Sequence, residues 1–391
     1  MVSILLAVGI VVSLFVGYNI GGATTGPAFG PAVGADAISK TTAAALMTLF
    51  FFVGAWTIGR RVVATLGGDL VAASVFTLTT SIGVLFFIGF ALFIGNLFGV
   101  PASTSMTAVG SIAGLGLAAG ELDWGVMGEI AIWWIVAPFI GFWVSLVIGR
   151  YFYARLNRIV RMERSEGPLV RLDRSGTLPR PVVSKTTSRR ELWGVITVIV
   201  IGCLMAFSSG TSNIANAIAP LVGSDAVDMN PAIVGGCLAV GVGTFTIARR
   251  TLETMGNDLT ELPLTAAIVV AVVSASLVIF LSAIGIPASF VVIATMSIIG
   301  LGWGRATRPL TVSEAVQGEE SPRVSVGALT VDEEGETPPS IGEEDPEDIP
   351  RASDLFDPAT TARVVLMQNV VPAIATAGAY LTFRFVPIFG L

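Results

Sequence analysis

This sequence predicts an all-α fold, a polytopic transmembrane helical bundle built from two copies of one unit, with broken helices or hairpins between the full spans. Three observations predict it. Hydrophobic residues make up 53% of the chain and charged residues only 13%, at a mean hydropathy of +0.81, a balance foreign to soluble domains. Apolar runs long enough to cross the hydrocarbon core, roughly 20 residues each, recur at 2–20, 41–59, 75–98, 126–149, 192–209, 231–248, 263–284 and 362–386. Finally, residues 21–70 return without a gap at 210–259, carrying Asp36 onto Asp225, Arg60-Arg61 onto Arg249-Arg250 and Asp69-Leu70 onto Asp258-Leu259. In the stretch 54–70, nine of seventeen positions are identical to 243–259. Pro101-Ala102-Ser103 likewise returns as Pro287-Ala288-Ser289. Duplicated hydrophobic units are how many secondary transporters place a substrate site at the repeat interface.

Taken in order, residues 1–149 form the first membrane unit. Its opening span lacks a basic n-region and matches 192–209 of the second unit, so it is expected to be a retained span and not a cleaved signal. Segment 21–38 and its mate 210–227, and segment 101–117 and its mate 287–303, are too short or too interrupted by Gly and Pro for ordinary spans. Each is expected to be a hairpin or a crossing. That leaves the count of crossings open, and with it the choice between inverted and parallel repeats.

Residues 150–190 hold eleven of the twenty-two Lys and Arg residues, which places this basic connector on the cytoplasmic side of the plasma membrane. Residues 191–303 form the second unit. An acidic stretch, 304–360, carries fourteen of the twenty-eight Asp and Glu residues and is expected to be disordered. Residues 361–391 supply a final helix that closes the second unit.

The chain has no histidine, which excludes His-ligated metals, His proton relays and Ser-His or Cys-His nucleophile pairs. Cys203 and Cys237 lie alone in apolar runs and read as small buried hydrophobes. No catalytic residue, metal site or nucleic-acid partner is expected, and an enzyme is the weakest reading. The chemistry is expected in the interrupted segments. A helix that starts inside a membrane aims free N–H groups and the positive end of its dipole at whatever sits there, which suits an anion. Pro101-Ala102-Ser103-Thr104-Ser105 adds three hydroxyls to such a start. In Gly210-Thr211-Ser212-Asn213-Ile214-Ala215-Asn216, the two amides donate and accept at a lower desolvation cost than carboxylates. The mate in unit one replaces them with Thr24 and Thr25, and Asn19 lies just upstream. The plainer reading is that these hydroxyls satisfy backbone carbonyls in a tightly packed bundle.

These two elements resemble the inorganic phosphate transporter family of anion permeases, which carries Gly-Ala-Asn-Asp-x-Ala-Asn-Ala and Pro-x-Ser-Thr-Thr-His elements in each half. Gly210 to Pro220 matches the first, Pro101 to Gly110 the second. Trp134 to Pro138 resembles the family's Trp-x-x-Ser-Pro span, and Gln368 to Pro372 holds the equivalent place in the second half. The resemblance implies an inverted repeat, a homodimer in the lipid bilayer, and uptake of inorganic phosphate coupled to Na+ or H+. The substrate-binding residues it implies are Ser103, Thr104, Ser105, Ser212, Asn213 and Asn216, with Thr24 and Thr25 completing the site. The chain departs from the family where Thr24 and Asn213 replace the Asp and Met106 replaces the His. With those carboxylates gone, Asn19, Asp36, Asp225 and Glu129 become the coupling-ion candidates. Asp36, Asp225, Asp69 and Asp258 also fit capping or interfacial roles. The alternatives are a sulfate permease of the same fold and a transport-derived anion sensor.

Overall fold

The apolar runs fold as long helices in the computed structural model, which describes residues 2–34, 38–97, 103–160, 170–173, 180–183, 189–258, 264–306 and 358–389. The acidic stretch lies almost wholly outside these residues, as does Asp36. Unit one contains α1 (Val2–Gly34), α2 (Lys40–Asp69, with π-helical turns at Ala55–Gly59 and Thr65–Asp69), α3 (Leu78–Leu97), α4 (Thr104–Ala119) and α5 (Trp124–Val147). Helix α5 continues through a π turn, Ile148–Phe152, into α6 (Tyr153–Val160). An antiparallel hairpin, β1 (Val170–Asp173) with β2 (Arg180–Val183), follows in the connector. Unit two contains α7 (Arg189–Gly223), α8 (Met229–Asp258), α9 (Leu264–Ala283), α10 (Phe290–Ala306) and α11 (Pro358–Phe385). Among the described residues, seven helices are long and apolar enough to cross a membrane, while α4 and α10 are shorter.

Local signals account for the ends. Ser39 caps α2 by accepting from the Thr42 N–H at 3.1 Å, and Asp123 caps α5 by accepting from Gly125 and Val126 at 2.8 and 3.0 Å. Each satisfies N–H groups that a helix start leaves without partners. Gly120, at φ 76°, ends α4 in the left-handed region that a side chain rarely adopts.

One expectation is corrected. Segments 21–38 and 210–227 are not separate broken elements, because α1 and α7 run unbroken through Gly34 and Gly223. Proline removes one intrahelical donor, but a helix packed inside a membrane protein tolerates this where neighbouring elements also bond its backbone. Around Pro220, the Ser13 hydroxyl donates to the Ala217 carbonyl and the Ser81 hydroxyl to the Pro220 carbonyl, both at 2.7 Å. The basic connector also begins as helix: α6 buries Tyr153 and Asn157 while Arg155 and Arg158 face outward.

The units are interleaved. Gly21 of α1 is pressed against the Val240 carbonyl of α8, and Gly210 of α7 against the Phe51 carbonyl of α2. Gly54 meets the Phe207 carbonyl, and Gly243 meets that of Tyr18. Each contact is the other's image under the 189-residue repeat. The same exchange joins α4 to α11 (Gly114 against the Thr376 carbonyl) and α10 to α5 (Gly300 against the Phe142 carbonyl). Glycine is needed at these crossings because any Cβ would strike backbone. Along α1 and α7 the contacts pair Gly9 with Leu221, Ser13 with Ala217 and Phe29 with Gly202. One number rises as the other falls, so the two equivalent helices run antiparallel.

Candidate functional site

Helix α4 opens on Ser103, whose hydroxyl accepts from the Met106 N–H at 3.2 Å and whose carbonyl accepts from the Thr107 N–H and hydroxyl. The N–H groups of Thr104 and Ser105 precede the intrahelical ladder. Facing them is the middle of α7. The Thr104 hydroxyl donates to Asn213 Oδ1 at 2.7 Å, and the Ser105 hydroxyl lies 3.2 Å from that of Ser212. Both serines donate to the Ala288 carbonyl at 2.9 Å, and the Ala288 N–H returns to Ser212 Oγ at 3.2 Å. The start of α4, the middle of α7 and the repeated Pro-Ala-Ser element before α10 thus meet at one place.

Asparagine geometry completes it. Asn213 Nδ2 donates to Ser209 Oγ at 3.0 Å, and Asn216 Nδ2 donates to Asn213 Oδ1 at 3.3 Å. Asn216 is fully buried and its Oδ1 has no donor. An unpaired buried acceptor costs about 1–3 kcal/mol, which a donor bound at this place would recover. Ser103, Ser105, Ser212 and Asn213 are also buried. The cluster contains no ionisable side chain. Its field is that of the α4 dipole and of oriented hydroxyls and amides, positive toward the helix start. Beside it, between α4, α5 and α11, runs a cleft of about 270 Å³ lined by residues that include Met106, Trp134, Asn369, Pro372 and Thr376.

Six of the expected binding residues, Ser103, Thr104, Ser105, Ser212, Asn213 and Asn216, are therefore neighbours. Thr24 and Thr25 are not hydrogen-bonded into that group. Thr24 donates to Ile20 O at 2.8 Å, while Thr25 donates to Gly21 O at 2.7 Å and to Thr244 of α8 at 3.2 Å. Their position satisfies helix backbone and helps seal α1 against α8.

The coupling-ion candidates are scattered. Asn19 is buried and donates to Phe15 O. Asp225 is exposed at φ 52° in the turn between α7 and α8. Glu129 and Asp69 are exposed on α5 and at the end of α2, and the Asp258 side chain lies outside the described residues. Arg60 stacks 4.4 Å over Trp56 and donates to Asn230 Oδ1 at 2.7 Å, while Arg61 donates to the Ala283 carbonyl. These are anchoring contacts at a helix end. Ser209, the Ala288 backbone and Trp134, whose Nε1 donates to the Pro287 carbonyl at 2.9 Å, were not anticipated as parts of the site. For Trp134 and Ala288 the signal was present, since both lie in duplicated elements.

The model of the phosphate transporter family (PHO4) matches residues 20–327. The chain belongs to that family. It is accordingly a multi-pass membrane transport protein and not an enzyme. The sulfate permease CysP of Bacillus subtilis is 30% identical over 297 residues, covering 76% of this chain and 77% of that one. The chloroplastic inorganic phosphate transporter 2-1 of Arabidopsis thaliana is 24% identical, covering 77% of this chain and 67% of its own. A solved structure described as the sodium-dependent phosphate transporter superposes with a TM-score of 0.66 at 17% identity, over 97% of this chain and 98% of its own, which establishes the shared fold.

Proposed function

We propose that the protein carries inorganic phosphate across the plasma membrane by alternating access, binding it at the neutral cluster formed by Ser103, Thr104, Ser105, Ser212, Asn213 and Asn216. The observation that carries this reading is the pairing of a helix start rich in hydroxyl donors with one buried acceptor, Asn216 Oδ1, that has no donor. Hydrogen phosphate supplies both counterparts: unprotonated oxygens for the donors and a P–OH for the acceptor. The neutral bonds now closing the cluster are worth about 0.5–1.5 kcal/mol each, against about 1.5–3 for bonds to a charged oxygen. An entering oxyanion therefore wins the exchange.

Coupling to a cation completes the reading. Because the cluster has no titratable side chain, Na+ among oxygen ligands suits it better than a resident proton. The antiparallel course of α1 and α7 supports an inverted repeat, and the basic connector supports a cytoplasmic placement of 150–190. A homodimer follows from the family resemblance. Sulfate is the second reading, favoured by the absence of a carboxylate at the cluster and by the likeness to CysP.

The deciding experiment is uptake of labelled phosphate into proteoliposomes under separate Na+ and H+ gradients, with and without excess unlabelled sulfate. Na+-driven uptake that sulfate leaves intact supports the phosphate reading. Uptake that sulfate blocks transfers the assignment to sulfate, and binding without flux favours a sensor.

A further inference from the structure

Gln368 belongs to no part of the cluster described so far, yet its surroundings single it out. It is 4% exposed, and its Nε2 is buried with no hydrogen-bond acceptor. Its direction follows from the packing of α11 on α4. Gly110 meets the Pro372 carbonyl and the Thr376 hydroxyl, and Gly114 meets Thr376 and Ala379, so the helices run parallel and α11 presents 372, 376 and 379 to α4. Gln368 lies four residues before Pro372 on that same face. One turn, about 5.4 Å, carries it from the level of Gly110 to that of Met106, in the first turn of α4. Met106, Asn369 and Pro372 line one cleft there.

The duplication supplies an independent comparison. In unit one the equivalent residue is Trp134, four before Pro138, and its N–H is spent on the Pro287 carbonyl at 2.9 Å. Unit two carries an amide at this place and leaves its N–H₂ unspent, on the face of α11 that packs on α4.

We propose that Gln368 is a substrate-binding residue whose Nε2 donates to an oxygen of the oxyanion seated at the α4 N-terminus. This rests on the oxyanion reading above. It extends the site to α11, a third helix beside α4 and α7 around the anion. It also makes Gln368 a selectivity position. An amide donor tolerates both sulfate and hydrogen phosphate, whereas a carboxylate here repels fully ionised sulfate and accepts from a P–OH.

The test uses the purified full-length protein, titrated with sodium sulfate and with sodium phosphate and followed by calorimetry and by thermal melting. Gln368→Leu is expected to weaken binding of both anions at least tenfold while the anion-free melting temperature stays level or rises, because the variant removes an unpaired buried donor. Gln368→Glu is expected to shift the phosphate-to-sulfate affinity ratio at least tenfold toward phosphate. Unchanged affinities in Gln368→Leu, or a lower anion-free melting temperature without loss of affinity, overturn the proposal and assign the residue to packing. The Ser103→Ala, Thr104→Ala double variant serves as the control. If it loses binding while Gln368→Leu does not, only the role of Gln368 fails. If the unmodified protein binds neither anion, the oxyanion reading fails with it.

Discussion

At the scale of single residues, the cluster replaces charge with number. Thr104, Ser105, Ser212 and Asn213 contribute polar contacts that are each weak between neutral partners, whereas bonds to a charged oxygen are stronger. Removing two donors from the α4 start by Ser103→Ala with Thr104→Ala is therefore expected to abolish labelled-phosphate uptake while membrane expression stays normal; unimpaired uptake would sink the assignment. Asn213→Leu removes the acceptor that Thr104 and Asn216 share, and is expected to raise KM about 10–100-fold. The absence of histidine and of any ionisable group in the cluster has its own signature. Equilibrium sulfate binding should be flat across roughly pH 5 to 8, the range in which histidine sites titrate, and phosphate binding should follow only the ionisation of phosphate itself. A bell-shaped sulfate profile would point to a titrating protein group instead. Most of this site was legible as donor-rich sequence at two motifs. Gln368 was not, because a lone glutamine in an apolar run is ambiguous until a partner helix fixes which way it faces.

At the scale of helices, the same side chains that read as interruptions turn out to be contact surfaces. Gly21, Gly54, Gly210 and Gly243 weaken a helix in isolation, and Gly, Pro and hydroxyls together led to the expectation of breaks at 21–38 and 210–227. What reverses it is non-local: each glycine lies against a carbonyl of the other unit, and hydroxyls such as Ser13 and Ser81 serve backbone acceptors about 140 to 200 residues away. No local pattern carries that information. The apolar runs and the two short helices were readable because length and hydropathy are local properties. Gly210→Ala and Gly21→Ala are each expected to cost about 1–3 kcal/mol through overpacking, read as a lower melting temperature in detergent. Gly128→Ala on α5, where no atom lies within 4 Å of the new methyl, is expected to be neutral or to stabilise by up to about 1 kcal/mol from helix propensity.

At the scale of the whole molecule, the duplication visible in the sequence becomes an exchange of partners. Helix α1 pairs with α8, α2 with α7, α4 with α11 and α5 with α10, and α1 and α7 run in opposite directions. A cysteine replacing exposed Ser39, between α1 and α2, and one replacing exposed Asp228, between α7 and α8, should therefore react with impermeant maleimide from opposite sides of the membrane. Labelling of both from one side would contradict the inverted arrangement. The polar cluster does not obey the exchange, since the mates of Ser212 and Ser105 are Ala23 and Val291. The interleaving also bears on how the protein is made. Glycine faces on α1 and α2 wait for α8 and α7, and at about 5–20 residues per second the ribosome needs on the order of 10–40 seconds to supply them. Throughout that interval the nascent first half sits in the bilayer with its tightest contacts unmade, so a truncated first unit offers the cell's quality-control proteases an unfinished surface. Coexpressing the second half as a separate chain is the natural way to rescue it.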